Sequence, residues 1–357
     1  MSDQIRVGIV GANAHRGWAL DAHVPALRRL PGFTLAAISA RTQALADEAQ
    51  PVFQAQRAFG DSLALVRDPD IDLVAVTVKV PEHRAIVLAA LEAGKHVYCE
   101  WPLGRDLAEA EEMAAAVGPK SHVLIGVQGC MSPAVRRAAE LVREGAIGRP
   151  QVLRVFSPTA GWGPVAPPFY AYLQDKRNGA TLEAIGGGHT LAVIDAVVGP
   201  YVEVDARNST LRDKVRIDGT DEIVTRTCAD HMFVLGKHTS GCVSSLEVVG
   251  GVPSAPFGFE LVGETGTLKL TSRHPGGFQV GRLSLETSFP TDPPAPAVAP
   301  DLSGPPANLS ESYVRFAADI RSGARTVPDF TDAVRYTRLL EAIDAASADG
   351  RRQSLEG

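Results

Sequence analysis

Apolar and polar positions alternate along the first third of the chain in two different rhythms. Ile5–Val10 is an apolar run with β-branched residues, and it ends in Gly11-Ala-Asn-Ala-His-Arg-Gly17. A helical spacing follows, with Trp18, His23, Val24, Leu27 and Leu30 on one face and Pro31-Gly32 as its end. A second apolar run, Phe33–Ile38, closes a βαβ unit. Thr42–Gln50 reads as an Ala-rich helix interrupted by Pro51, and Asp61 is an N-cap candidate for a helix to about Val66. Asp70–Val78 is apolar on both faces, as buried parallel strands are. A helix from about Glu82 to Ala93 ends at Gly94, and Lys95–Glu100 is the next strand. Trp101-Pro102-Leu103 breaks it, Leu107–Val117 is helical, and His122–Val127 is a further strand. Strands and helices in this alternation predict an α/β fold, a doubly wound parallel sheet of the Rossmann kind, over residues 1–128.

The rhythm changes after that. Gln151–Phe156, Tyr201–Asn208, Glu222–Cys228, Met232–Gly236, Cys242–Val249, Phe257–Val262 and Thr267–Leu270 read as strands between Gly, Pro and Asp turns. They predict an α+β domain over residues 129–357 with one large, mostly antiparallel sheet. Gly186–Val198 is a Gly-led helix carrying His189. Gly161–Asp175 is a long aromatic loop in which Trp162, Tyr170 and Tyr172 are candidate walls of a substrate pocket or staples to the sheet. Phe289–Ala307 contains seven prolines and reads as an irregular surface loop or lid. Asn308–Ser322 and Thr331–Ala348 read as helices that pack within the second domain or back on the first.

The turn after the first strand has the chemistry of a dinucleotide site. Glycines let the chain leave the strand sharply and let its backbone approach a pyrophosphate, while the helix N-terminus aims N–H groups at the phosphates. The G-x-G-x-x-G fingerprint is degenerate here: Asn13 takes the second glycine's place and Gly17 comes one residue late. Asn tolerates positive φ better than most residues. No Asp or Glu lies between Phe33 and Ala46, where an acid would grip a ribose 2′-OH. Ser39, Arg41 and Thr42 stand there, a set suited to a 2′-phosphate, so NADP is the expected cofactor with NAD as the alternative. Ligands of such sheets sit at the carboxyl ends of the strands. The candidate cofactor contacts are therefore Gly11, Asn13, His15, Arg16, Ser39, Arg41, Thr42, Val78, His83, Glu100, Trp101 and Gln128. Lys79, directly after a strand, starts at the same edge and is expected half-buried there, a candidate for proton transfer.

Composition narrows the partners. The 357 residues are 45% hydrophobic and 21% charged, ordinary for a globular protein. A net charge of −6 gives no reason to expect direct binding to nucleic acid or to an anionic membrane. The polar start and the lack of a long apolar stretch predict a cytoplasmic protein without a membrane span. Cys99, Cys130, Cys228 and Cys242 have no metal spacing, so buried free thiols and no metal site are expected.

Several segments carry a family resemblance. Ala89-Ala-Leu-Glu-Ala-Gly-Lys-His-Val-Tyr-Cys-Glu-Trp-Pro-Leu103 resembles the signature of the Gfo/Idh/MocA oxidoreductases. Ser132–Ala138 with Gly145–Gly148, Gly186–His189 and Phe259–Leu268 resemble the family's later segments. Asn13, Gly17–Ala19, Glu100-Trp101, Gln128-Gly129 and Ser132-Pro133 are similar to the branch that holds the fungal repressor of the galactose pathway. The resemblance implies a nicotinamide cofactor, a small polar substrate such as a sugar or cyclitol, and a homo-oligomer, dimer or tetramer, paired through the sheet. It also marks departures. Family enzymes place Lys where this chain has Trp101, and Asp where it has Ile185 and Ala192. Of the family's ionisable groups here only His189 remains, so Lys79 and His189 are the catalytic candidates. Two functions stay open: an NADP-dependent oxidoreductase acting on a CH–OH group, or a cofactor-binding regulator acting through protein contacts.

Overall fold

A computed structural model describes residues 4–298 and 301–355. The chain divides into two compact units, Met1–Gly126 with Val298–Val334, and Val127–Ala297 with Arg335–Gly357. Residues 298–334 fall in the first unit, one of the two placements left open for the C-terminal helices.

The first unit is built on a parallel sheet of β1 (Ile5–Val10), β2 (Phe33–Ser39), β3 (Arg57–Phe59), β4 (Leu73–Val76), β5 (His96–Glu100) and β6 (Val123–Gly126). Their order is β3-β2-β1-β4-β5-β6, so the chain reverses direction across the sheet between β1 and β4. That is the topological switch point where ligands of doubly wound sheets bind. Val7, Ile9, Ile38, Leu73, Val74, Val76 and Val97 are fully buried, as strands covered on both faces require. Each such side chain contributes roughly 1.5–3 kcal/mol on leaving water.

Its helices are α1 (Val24–Arg28), entered through a π-turn over Ala19–His23, α2 (Gln43–Phe53), α3 (Ser62–Arg67), α4 (Val80–Glu92) and α5 (Leu107–Ala115). Asp61 and Asp106 cap α3 and α5 by accepting the N–H groups of Leu63 and Glu109. Pro51 does not end α2; it lies one turn from the C-terminus, and Gln54 closes the helix at φ 54°. The short β3 falls where the apolar pattern gave no strand.

The second unit adds α6 (Pro133–Arg143) and α7 (Gly188–Val198) to a sheet of β7 (Pro150–Thr159), β9 (Tyr201–Ser209), β12 (His231–His238), β13 (Val243–Gly250), β14 (Phe257–Gly263), β15 (Thr267–Ser272), β16 (Ser284–Thr287) and β17 (Gln353–Ser354). The order is β16-β15-β14-β7-β13-β12-β9-β17, antiparallel except for the β7–β13 pair. Leu153, Val234, Leu246, Val248, Phe259 and Leu261 are buried on one face. The opposite face exposes a cross-strand row, Val262–Val152–Val243. A separate small sheet joins β8 (Val165–Ala166), β10 (Lys214–Ile217) and β11 (Ile223–Thr225) over Ala166, Val215 and Ile217. The expected strand at Glu222–Cys228 therefore belongs to this small sheet and not to the large one. Its three paired residues have one wet face, and the chain leaves the sheet at the buried Arg226. Helix α8 (Pro305–Ser322) starts inside the proline-rich segment, of which residues 299 and 300 lie outside the described residues. Helix α9 (Phe330–Asp349) contains the boundary between the units.

Candidate active site

In the first unit the ends of β1, β2, β4 and β5 meet at one sheet edge. Gly11 leaves β1 at φ 106°, and its N–H and that of Ala12 both donate to the Ser39 carbonyl. A Cβ on Gly11 would lie 3.0 Å from Thr77 Oγ1 and Val78 Cγ1, so only glycine fits this turn. Thr77 Oγ1 donates to the Val10 carbonyl at 2.7 Å and ties β4 to β1 at the switch point. Gly17 stands at φ 108° with open space where a Cβ would be. Asn13 Oδ1 accepts the N–H groups of His15 and Arg16 at 3.0 and 3.2 Å. A side-chain oxygen thus holds the loop donors that a phosphate oxygen takes in sites of this kind. Trp18 Nε1 is buried without a hydrogen-bond partner among the described residues. An open loop, collected N–H donors and an orphaned indole N–H fit a dinucleotide.

The expected contacts separate on inspection. Arg41 is exposed and engages no other group among the described residues. Thr42 uses its hydroxyl to cap α2, accepting the Leu45 N–H at 3.4 Å. Ser39 is corrected: it is fully buried, with Oγ 3.1 Å from Ser62 Oγ, and does not face a 2′-phosphate. The strand period turns its side chain inward while Arg41, beyond the strand end, turns out. His15 is exposed and pairs with Glu48 at 2.8 Å, and Arg16 is exposed beside it.

His83 is also corrected, from cofactor contact to internal tie. It is 1% exposed, with Nδ1 3.0 Å from the Pro102 carbonyl and Nε2 3.0 Å from that of Val78. Burial pushes its pKa down, and the neutral ring, with one N–H, donates to one of these two carbonyls while packing against the other. Val78 itself is half-buried against Gly11. Lys79 is the residue that precedes α4, and it is exposed rather than half-buried. Trp101 is buried directly after β5. Glu100 Oε1 lies 2.9 Å from His23 Nε2, and His23 Nδ1 lies 2.7 Å from the Tyr313 hydroxyl. Neither His23 nor Tyr313 was marked as functional by the sequence; the one signal was a histidine on an otherwise apolar helix face.

The second unit carries the other candidates. A π-turn over Glu183–Gly187 leads into α7, whose first turn holds His189. Thr190 Oγ1 donates to the Gly186 carbonyl at 2.7 Å and lies 2.9 Å from Ser157 Oγ, which fixes this turn on β7. His189 is 6% exposed, and its Nδ1 has no partner among the described residues. Burial alone brings its pKa down to about 4, with no carboxylate to oppose the change. Gln128 is 2% exposed, and its Oε1 is likewise unpartnered among the described residues. Both are polar atoms with unused hydrogen-bonding capacity, the kind a substrate satisfies.

The aromatic segment is more ordered than a loop. It contains β8 and a 3₁₀ turn over Pro168–Gln174. Trp162 adopts φ 56°, and its Nε1 is buried and unpartnered among the described residues. Its Cβ lies 2.7 Å from where a Cβ on Gly250 would be, so glycine there makes room for it. Arg226 fastens the segment: Nη2 donates to the Gly163 carbonyl at 2.7 Å, Nε to Gln174 Oε1 at 2.8 Å, and Nη1 to Asp230 at 2.8 Å. A buried guanidinium thus staples this segment. Tyr170 is exposed, while burial pushes the Tyr172 phenol up to about 12, so it remains a hydrogen-bond donor.

Comparison with known proteins agrees with this arrangement. Residues 5–128 match the profile described as "Oxidoreductase family, NAD-binding Rossmann fold", and residues 133–272 match "Gal80p, C-terminal domain". The dehydrogenase AclE of Aspergillus oryzae is 30% identical over 287 residues, covering 76% of this chain and 77% of that protein. The chain belongs to the Gfo/Idh/MocA oxidoreductase family. Within the family it is also similar to the galactose/lactose metabolism regulatory protein GAL80 of Kluyveromyces lactis, at 30% identity over 293 residues, 75% of this chain. The matched part spans 64% of that regulator's length. A levoglucosan dehydrogenase solved with NADH and levoglucosan shares the fold, with a TM-score of 0.83 at 22% identity over 99% of this chain and all of that one. Among the described residues no helix is long and apolar enough to cross a membrane.

Proposed function

We propose that this protein is an NADP-dependent oxidoreductase that acts between a hydroxyl and a carbonyl carbon of a sugar, cyclitol or similar small polar substrate. The bound nicotinamide would supply the hydride chemistry. The chain's own residues supply the rest. Gly11, Asn13, Arg16 and Gly17 hold the pyrophosphate, Arg41 holds the 2′-phosphate, and Lys79 adds a cation at the same edge. His189 and Gln128 offer hydrogen bonds to substrate hydroxyls, with Trp162, Tyr170 and Tyr172 as the wall. The observation that carries the enzyme reading is His189: a buried, neutral imidazole with a bare nitrogen in a chain whose neighbouring aspartates are gone.

The NADP preference rests on Arg41 and on the missing acid after β2. Fluorescence titration should give tighter binding of NADPH than of NADH. Arg41→Ala should weaken NADPH by about 10- to 100-fold, the loss of a charged hydrogen bond worth roughly 1.5–3 kcal/mol, and leave NADH unchanged. Equal affinities in the unsubstituted protein contradict the preference.

A cofactor-binding regulator is the second reading. It is favoured by Trp101, Ile185 and Ala192 in place of ionisable residues, and by the similarity to the GAL80 regulator.

A further inference from the structure

The proton of the substrate hydroxyl needs an acceptor at the nicotinamide edge of the first unit. Trp101 cannot serve, because an indole only donates. The residue before it can. Glu100 closes β5 with its side chain 15% exposed, and His23 behind it is fully buried. The chain of contacts has a defined polarity. A carboxylate only accepts, so His23 Nε2 must carry hydrogen and donate to Oε1. Nδ1 lies 2.7 Å from the Tyr313 hydroxyl, a group able to donate to it. Burial drives the Tyr313 phenol well above its ordinary range, which keeps it a donor. Tyr98 and Tyr313 enclose the imidazole edge-on, with ring centroids 5.2 and 5.7 Å away. The second oxygen, Oε2, faces Gly126 at the end of β6, where a Cβ would come within 2.8 Å. Glycine therefore leaves room around that oxygen at the strand ends.

A trio that served only to fasten α8 to the sheet would need no carboxylate at a ligand-facing edge. We propose that Glu100 is the proton acceptor of this site, with His23 and Tyr313 as the positioning residues that hold its carboxylate in place. The proposal rests on the oxidoreductase reading above. In the oxidative direction the substrate O–H bond breaks and a new O–H bond forms at Glu100 Oε2. The adjacent C–H bond breaks and its hydrogen leaves with both electrons, as hydride, to the oxidised nicotinamide dinucleotide, and the substrate becomes a carbonyl compound.

The test combines ring NMR of the free protein with cofactor titration and kinetics on the substrate found by screening. In the unsubstituted protein the His23 ¹⁵N resonances should show Nε2 protonated and Nδ1 a bare acceptor; a proton on Nδ1 overturns the proposal. Glu100→Gln should lower turnover by about 10²- to 10⁴-fold while NADPH affinity stays within about threefold. Tyr313→Phe should move the Nδ1 resonance and lower kcat by about 10-fold with KM unchanged. If E100Q does not fold, Glu100→Asp, which keeps the charge and withdraws the oxygens, must lower kcat with cofactor affinity kept. Normal turnover by E100Q or E100D, or loss of cofactor binding together with turnover, overturns the assignment of Glu100 and leaves the oxidoreductase reading standing. An unsubstituted protein that binds NADPH and turns over no substrate overturns both.

Discussion

His189 carries a consequence that can be measured without any substrate. Its ring is held neutral in the fold, with a pKa of about 4 against an ordinary 6.5, by burial alone. Between those values the unfolded chain binds a proton that the folded chain refuses. Its contribution to stability is therefore complete above about pH 6.5 and is lost as pH falls towards 4. At roughly 1.4 kcal/mol for each pH unit between the two values, the loss is about 2–3 kcal/mol over that window. Chemical denaturation at pH 7.5 and at pH 4.5 should show it, and His189→Asn should flatten the pH dependence. His96, also brought down to about 4 by burial with His122 beside it, leaves a residual slope in the variant. An identical slope in both proteins would mean that His189 is not buried neutral. At this scale the sequence was readable where backbone geometry dictates the residue, as at Gly11. It misled at Ser39 and His83, because it marks which residues reach a sheet edge but not which way their side chains turn.

Among the elements, the segment between β7 and α7 is held in part by a buried ionic network. Arg226 and Asp230 are both fully buried side chains, and Asp230 also accepts the Leu211 N–H at 2.6 Å. Removing the guanidinium leaves the buried carboxylate only the longer contact to Arg212, 3.2 Å from Oδ2, as a cationic partner among the described residues, and frees the Gly163 and Gln174 ends of the aromatic segment. Arg226→Ala should therefore cost on the order of 3–5 kcal/mol in thermal or denaturant unfolding. Limited proteolysis should then cut near residues 161–175 first. A stability change below about 1 kcal/mol would show that the pair is solvated. The aromatic residues drew attention in the sequence, yet the arginine that orders them did not, since it lies far along the chain with no local pattern. β10 was missed for a related reason: four residues of alternating character, Lys214–Ile217, carry too short a signal. The long apolar strands of the first unit gave no such difficulty, because burial on both faces leaves an unbroken apolar run.

For the whole molecule, the parallel sheet of the first unit and the mostly antiparallel sheet of the second follow from the two rhythms of the sequence. The assignment of residues 298–334 to the first unit does not, because it depends on contacts between segments far apart in the chain. The chain has a glycine turn at the switch point and a buried histidine, and Trp101, Ile185 and Ala192 stand where the family resemblance implies ionisable residues. Whether it turns over substrate is decided most directly by one measurement. Purified protein saturated with NADP is offered a panel of sugars, cyclitols and other small polyols, and formation of reduced cofactor is followed by absorbance. Substrate-dependent reduction that saturates with one member of the panel, and that falls by about 10²-fold or more in Glu100→Gln, is the predicted result. Saturable binding of NADP with no reduction by any member, in either direction of the reaction, would contradict it and favour the regulator.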